Sequence, residues 1–161
     1  LGRLIEILWQ QGYAVALALG GLSAAGLPGA SRRLAVFDFL PAATALARAA
    51  LLVCHGGQML VFEAMARRLP VFVLPQQPEQ AQNGRCVERM GCGRRLLRGT
   101  VYRGQSAAAE EGFLARPAAT VAAEMTEFLV DATLPAKLER AAQAVSRLPG
   151  VAALVTALEG L

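Results

Sequence analysis

Short apolar runs alternate with longer segments of helical pattern along most of this chain. The runs Tyr13–Leu19, Leu34–Phe37, Ala50–Cys54 and Val71–Leu74 have the length and composition of strands that are buried on both faces of a parallel sheet. Strands separated by amphipathic helices are typical of α/β proteins. The pattern therefore predicts an α/β fold, a Rossmann-like parallel sheet of about five or six strands with helices on both faces.

Glycine and proline set the expected bounds of the other elements. The predicted helices are Leu4–Gln11, Ala42–Ala49, Gln58–Arg68, Gln82–Met90, Pro117–Val130, Pro135–Leu148 and Val151–Leu161. Two further strand candidates are Arg94–Leu97 and Thr100–Tyr102. We expect a loop at Gly20–Ser31, and Gly104–Arg116 stays undecided between helix and irregular structure.

The segment Leu51–Asn83 contains the candidate chemistry. Its pattern predicts a strand, a glycine turn, a helix and a second strand, followed by a polar loop with Glu79 and Gln80. Glycines at 56 and 57 allow a ligand to approach the backbone closely, and the first amides of the next helix favour an anion. The sole histidine, His55, is placed to donate a hydrogen bond to a phosphate oxygen.

Carboxylates and amides follow at successive strand ends. Glu63 lies two helical turns beyond His55, and Glu79 with Gln80 follows the next strand. Such groups suit hydroxyl-rich ligands because each can hold two hydroxyls. A phosphate site beside hydroxyl-binding groups suggests a nucleotide sugar. Glu63 alone would more often be a solvated helix residue, and the alternative for Glu79 with Gln80, for which we favour sugar binding, is that they merely cap the next helix.

The spacing of these residues resembles the donor-binding signature of family 1 glycosyltransferases, which use UDP- and dTDP-sugars and have the GT-B fold. Nine positions are in register with that signature: His55, Gly56, Gly57, Glu63, Pro70, Pro75, Glu79, Gln80 and Asn83. Asp38–Pro41 upstream is similar to an Asp-Phe-Val-Pro segment of the family, and Met90–Gly93 downstream is similar to a glycine turn. The resemblance is clear over Phe37–Leu97 and implies the C-terminal half of a GT-B fold.

The resemblance also implies roles for individual residues. His55 and the amides after Gly57 would contact the diphosphate, Glu63 the ribose, and Glu79 and Gln80 the sugar. The backbone near Phe39–Leu40 would hold the base. The implied donor-binding set is His55, Gly56, Gly57, Gln58, Met59, Glu63, Glu79, Gln80, Asn83, Phe39 and Leu40. No catalytic residue, metal ligand or cofactor is expected in this chain.

The implied reaction is a metal-independent, inverting transfer of a sugar from a UDP- or dTDP-sugar to an acceptor hydroxyl. In the family, the base that activates the acceptor belongs to an N-terminal domain, which would be this domain's partner. No strand precedes the helix at Leu4–Gln11, so residues 1–161 are expected to be one donor-binding domain that lacks its first strand. We expect it to bind donor without catalysing transfer alone.

The chain departs from the family at three positions. Met59 and Leu60 stand where the family has a small residue and then Ser or Thr, so a hydroxyl to phosphate is missing. Arg68 stands where the family's helix typically ends in glycine. Two alternatives therefore stay open: the donor-binding subunit of a two-chain GlcNAc-transferase, and a non-catalytic interaction module whose donor site has decayed.

Composition and charge narrow the setting. Hydrophobic residues make up 55% of the chain, the net charge is +4, and its abundant alanine and arginine suggest a bacterial source. Cys54, Cys86 and Cys92 have no metal spacing, which favours a reducing cytoplasm, with the inner membrane surface left open as a peripheral partner. Arginines between Arg85 and Arg103 lack interleaved aromatic residues, which argues against nucleic acid as a partner.

Overall fold

The computed structural model describes residues 1–29, 31–97 and 112–148 of the 161-residue chain. The strands are β1 Val15–Ala18, β2 Leu34–Phe37, β3 Leu52–Cys54, β4 Val71–Val73 and β5 Gly93–Arg95. The helices are α1 Gly2–Gln10, α2 Ala42–Leu46, α3 Gln58–Ala66, α4 Pro78–Met90, α5 Ala118–Leu129 and α6 Leu134–Ser146. From β2 to β5 strands and helices alternate, whereas no helix lies between β1 and β2 among the described residues. The α/β class is as predicted.

All strand pairs in the described residues are parallel. β1 pairs with β2, with Val15 opposite Leu34, and β4 pairs with β3 and β5, with Val71 opposite Leu52 and Gly93. Where we expected one sheet, the described strands form two, β1–β2 and β3–β4–β5. The sheets are separate because β1 and β3 each have one edge without a strand partner among the described residues.

An apolar cavity of about 690 Å³ lies between the two sheets. Three consecutive residues of β1, at 15–17, line it, and so do three consecutive residues of the β3 segment, at 51–53. Successive side chains of a strand point to opposite faces, so a cavity lined by consecutive residues faces the strand edges. The cavity therefore lies against the unpaired edges of β1 and β3.

The core is centred on β4, all of whose residues are buried. Phe72 of β4 makes an edge-to-face contact with Phe128 of α5, with ring centroids 5.6 Å apart. Such a pair contributes about 0.5–1.5 kcal/mol beyond its burial. α3 and α6 also pack together, and Ala64 and Ala141 are fully buried. A strand that is buried on both faces needs this continuous apolar sequence.

Polar contacts attach α1 to the C-terminal helices. The Gln11 amide donates to the carbonyl of Ala122 in α5 at 2.6 Å. Arg3 donates to the carbonyls of Leu114 and Arg116, in the segment before α5. These bonds join residues more than a hundred positions apart, so the N-terminal helix and α5 belong to one packed unit.

Two element predictions need comment. The helix expected at Gln82–Met90 begins at Pro78 instead, because proline suits the first turn of a helix, where no N–H partner is required. Thr100–Tyr102 and Val151–Leu161 lie outside the described residues, as does most of Gly104–Arg116. In the described part of the chain, every helix is too short or too polar to span a lipid bilayer.

Candidate functional site

The turn between β3 and α3 is shaped by Gly56. This glycine is buried and has a φ of 96°, a backbone conformation that residues with a side chain rarely adopt. A Cβ at Gly56 would lie 2.7 Å from Cγ1 of Val73 and 2.9 Å from the carbonyl oxygen of Gln80. The turn is therefore packed tightly against the end of β4 and the first turn of α4.

The N-terminus of α3 presents free amides beside His55. Gly57 is the N-cap, and the Val61 N–H donates to its carbonyl at 3.1 Å. The amides of residues 58–60 precede that bond and have no partner within the helix. Among the described residues no side chain caps them. The His55 ring is exposed and leans over Gly57, so imidazole and amides together can bind an anion.

Glu79 and Gln80 lie on the first turn of α4, which corrects the loop that we expected there. Glu79 is exposed and Gln80 is half-buried. The Gln80 side-chain oxygen accepts a hydrogen bond from the backbone N–H of Gln76 at 2.8 Å, an arrangement similar to a capping box. The side-chain oxygen of Gln80 is thus already engaged, and only the amide nitrogen of this side chain remains available as a hydrogen-bond donor.

Asn83 connects α4 to the glycine turn. Its side-chain nitrogen donates to the carbonyl of Gly56 at 2.9 Å and to Oε1 of Glu79 at 3.3 Å. Both acceptors can only accept, so the amide nitrogen must face them. The structure thereby brings together, at the carboxyl ends of β3 and β4, six of the residues that the resemblance assigns to the donor site: His55, Gly56, Gly57, Glu79, Gln80 and Asn83.

The remaining predicted residues lie further from this cluster along their elements. Glu63 pairs with Arg67 on α3 at 3.3 Å. Phe39 and Leu40 follow β2, which belongs to the other sheet. Phe39 is 80% exposed, whereas Leu40 is half-buried and lines the apolar cavity. Of the predicted donor-binding residues, Leu40 alone lies among the described residues that line that cavity, so the cavity is not the predicted diphosphate site.

The three positions that depart from the family behave differently. The Met59 side chain is 82% exposed on the first turn of α3, whereas Leu60 is half-buried and packs against the core. Arg68 has a φ of 58°, a left-handed conformation that glycine adopts more easily. Its side chain donates to Glu139 of α6. Arg68 therefore adopts a backbone conformation that suits glycine and adds a contact between α3 and α6.

Cys54 is not a reactive group in this site. Burial raises the pKa of its thiol to about 11, and a hydrogen bond with the Gly56 backbone only partly opposes this. The thiol therefore stays protonated near neutral pH and is a poor nucleophile. In the described ranges, no three His, Cys, Asp or Glu side chains are grouped so that they could hold a metal ion.

Sequence reasoning did not single out Gln76 or Val73, which shape this edge. Val73 limits the space beside Gly56, and Gln76 holds the side chain of Gln80. The N-cap of α4 is Gln77 and not the Ser, Thr, Asp or Asn of a capping box, so the Gln76–Gln80 contact had no complete sequence signature. The contact between Val73 and Gly56 had none, because it depends on tertiary packing.

Comparison with curated proteins gives partial matches to glycosyltransferases. No family model matches the chain. It is 35% identical over 82 residues to demethyllactenocin mycarosyltransferase of Streptomyces fradiae, which covers 51% of this chain and 18% of that protein. It is 40% identical over 58 residues to a PGL/p-HBAD biosynthesis glycosyltransferase of Mycobacterium tuberculosis, covering 36% of this chain and 14% of that protein. The chain thus spans less than a fifth of the length of these relatives.

Comparison with solved structures gives matches over most of the chain. The glycosyltransferase SnogD of Streptomyces nogalater matches with a TM-score of 0.66 and 23% identity, over 98% of this chain and 39% of that one. The glycotransferase of kitacinnamycin matches with a TM-score of 0.69 and 19% identity, over 89% of this chain and 34% of that one. At these identities the likeness concerns the fold, which is the α/β fold that the sequence predicts.

Proposed function

Since the chain is a glycosyltransferase-like domain with a fold similar to GT-B enzymes, we propose that it binds the nucleotide-sugar donor at the turn of His55, Gly56 and Gly57. The observation that carries this proposal is the set of free α3 amides beside an exposed imidazole. Helix N-termini attract phosphate groups through their unpaired N–H groups and their dipole. The amides of residues 58–60 and the His55 ring would donate hydrogen bonds to the diphosphate oxygens.

The proposed chemistry is stabilisation of the leaving group. As the bond between sugar and diphosphate breaks, negative charge grows on the diphosphate. Amides fixed at a helix N-terminus stabilise that charge without reorganising. The reaction would be a metal-independent, inverting transfer from a UDP- or dTDP-sugar to an acceptor hydroxyl. The base that activates this hydroxyl would belong to a separate N-terminal acceptor-binding domain of the whole protein.

The rest of the donor would extend along the strand ends. The Glu79 carboxylate and the Gln80 amide nitrogen would hold sugar hydroxyls. Glu63 would bind the ribose hydroxyls. To do so it would give up its exposed ion pair with Arg67, and the loss of such a pair costs about 0–1 kcal/mol. Backbone groups near Phe39 and Leu40 would hold the base.

We also propose that the chain is the C-terminal, donor-binding half of the glycosyltransferase and does not catalyse transfer alone. The cavity between β1 and β3 supports this proposal because it lies against the unpaired edges of both strands, where a further strand would fit. A cytoplasmic location is part of the proposal, since the donor nucleotides are made there.

A second candidate function is a non-catalytic interaction module. The exposed Met59 favours it, because an apolar side chain on the first turn of α3 stands where a small residue would admit a phosphate. In that case the fold would persist while donor binding is lost. A two-chain GlcNAc-transferase subunit remains a variant of the first proposal, with the acceptor domain on another chain.

Calorimetric titration of the chain with UDP, dTDP and GDP tests the proposal. We expect UDP or dTDP to bind, and His55→Ala and Glu63→Ala each to weaken binding about tenfold or more, since each removes a charged contact. Glu127→Ala, at an exposed glutamate of α5, is the matched control and should bind as the unaltered chain does. Absence of nucleotide binding by the folded chain would contradict the proposal and favour the interaction module.

A further inference from the structure

Asn83 lies one helical turn beyond the residues that would touch the sugar, and both of its described contacts are within the protein. The side-chain nitrogen donates to the Gly56 carbonyl and to the Glu79 carboxylate, at 2.9 and 3.3 Å. Asn83 is half-buried beneath the turn. Its two protons are thus directed at one backbone group of the phosphate turn and one acidic side chain of the sugar site.

The bond to Gly56 controls where the next amide points. In a trans peptide the carbonyl and the following N–H point in opposite directions. The structure contains no cis peptide among the described residues, so the carbonyl of Gly56 and the N–H of Gly57 are opposed. When Asn83 holds that carbonyl toward α4, the Gly57 N–H is turned away from α4.

Gly56 needs such a restraint because glycine is otherwise free to rotate. Its missing Cβ lets the turn fit between Val73 and Gln80, but this absence of a side chain also leaves more backbone conformations open. The contacts with Val73 and Gln80 exclude a side chain at Gly56, and the hydrogen bond from Asn83 acts on the carbonyl of the following peptide.

We propose that Asn83 is a positioning residue of the donor site, which orients the Gly56–Gly57 peptide and the Glu79 carboxylate together and does not itself touch the donor. This inference rests on the proposed function and goes beyond it, because it assigns Asn83 to the protein framework. One side chain thereby sets the geometry of the phosphate-binding and sugar-binding halves of the site at the same time.

The substitution Asn83→Asp tests this role with almost no change in shape. The introduced carboxylate cannot donate at neutral pH and would face two acceptors, Gly56 and Glu79. We expect the backbone order parameter of the Gly57 amide, measured by ¹⁵N relaxation in the free protein, to fall from about 0.85 toward 0.6. UDP affinity should fall about tenfold.

Lowering the pH provides a rescue that separates loss of the donated hydrogen bond from a change in packing. A protonated carboxylic acid can donate, so the Gly57 order parameter in Asn83→Asp should recover as the pH falls toward about 4. The ratio of variant to unaltered affinity is compared at each pH, so that pH effects common to both proteins cancel. Asn83→Ala should show the same loss of order with no recovery.

Gln82→Ala is the matched control, because Gln82 is an exposed neighbour on α4 that accepts a hydrogen bond from Arg85 on the same helix. It should change neither readout. An ordered Gly57 amide in Asn83→Asp and Asn83→Ala would overturn the inference, whatever the nucleotide result. If the unaltered chain binds no nucleotide, the proposed function fails, while the relaxation measurement still decides the role of Asn83.

Discussion

The imidazole of His55 lies over Gly57, such that a Cβ built on Gly57 would be 2.8 Å from Nε2. The imidazole ring occupies the space, beside the free amides of α3, that a side chain at position 57 would need. Because residue 57 is glycine, the ring can lie there. The neighbouring Gly56 is constrained differently, by a left-handed backbone and by contact with Val73 and Gln80. The two glycines of the turn therefore have different functions, one for the site and one for the fold.

Substitution of each glycine by alanine separates these functions. Gly57→Ala should leave the melting temperature nearly unchanged, because the backbone of Gly57 has a φ of −59° and the displaced ring is exposed. It should weaken UDP binding, measured by calorimetry, because the ring moves away from the amides. Gly56→Ala should cost about 1–2 kcal/mol for its left-handed backbone alone, with more from overlap with Val73.

The control for this comparison is Gly29→Ala, at a loop glycine with open space around its Cα. It should alter neither melting temperature nor affinity. Equal melting temperatures for the Gly56 and Gly57 variants would show that the turn is not packed as described.

Met59 and Leu60 offer a prediction about the missing hydroxyl. The double change Met59→Ala and Leu60→Ser removes an exposed thioether and introduces a hydroxyl at the position where the family has Ser or Thr. A hydrogen bond to a charged group contributes about 1.5–3 kcal/mol, so UDP affinity should rise about tenfold or more. Leu60→Ser alone should also lower stability to urea, because Leu60 packs against the core. Unchanged affinity in the double variant would argue against phosphate binding at this turn.

The left-handed backbone of Arg68 leads us to expect that two substitutions at this position differ in stability. Its left-handed backbone favours glycine, and its side chain makes an exposed ion pair with Glu139. Arg68→Ala removes the ion pair and keeps the strained backbone, whereas Arg68→Gly removes both. We therefore expect Arg68→Gly to be more stable to urea than Arg68→Ala. The same urea midpoint for both variants would mean that the left-handed turn carries no strain.

Asp131 should give the protein an acid-sensitive stability. Hydrogen bonds, first from Lys137 and then from Thr133, hold the pKa of its carboxyl well below the usual range. A folded pKa below the unfolded value of about 3.9 means that the stabilisation is present above pH 4 and is lost as the pH falls below it. Asp131→Asn should flatten the fall in urea midpoint between about pH 5 and pH 3. An unchanged slope would contradict this origin.

Local patterns predicted the elements and the glycine turn well. Leu34–Phe37 was predicted with the bounds that the structure gives, because a short apolar run has few alternatives. The start of α4 was predicted four residues late, because the polar residues after Pro78 resemble a loop that precedes a helix.

Long-range relationships were not predictable from the sequence. The ion pair of Arg68 with Glu139 joins residues 71 positions apart, and no local pattern announces it. The inward bond from Asn83 to Gly56 is of the same kind, since the register of the signature suggested a ligand contact for Asn83. The division of the strands into two sheets also depends on which strand edges pair with each other. The hydrophobic periodicity of the sequence carries no information about that pairing.

The most direct test of the donor site is a ¹⁵N NMR titration of the chain with UDP. We predict that the largest chemical-shift changes occur at the amides of residues 55–60, with smaller ones at Phe39 and Leu40, and that the amides of α6 are unaffected. Shifts confined to residues around the apolar cavity, or no shifts at millimolar UDP, would contradict the assignment of the diphosphate site to the turn of His55, Gly56 and Gly57.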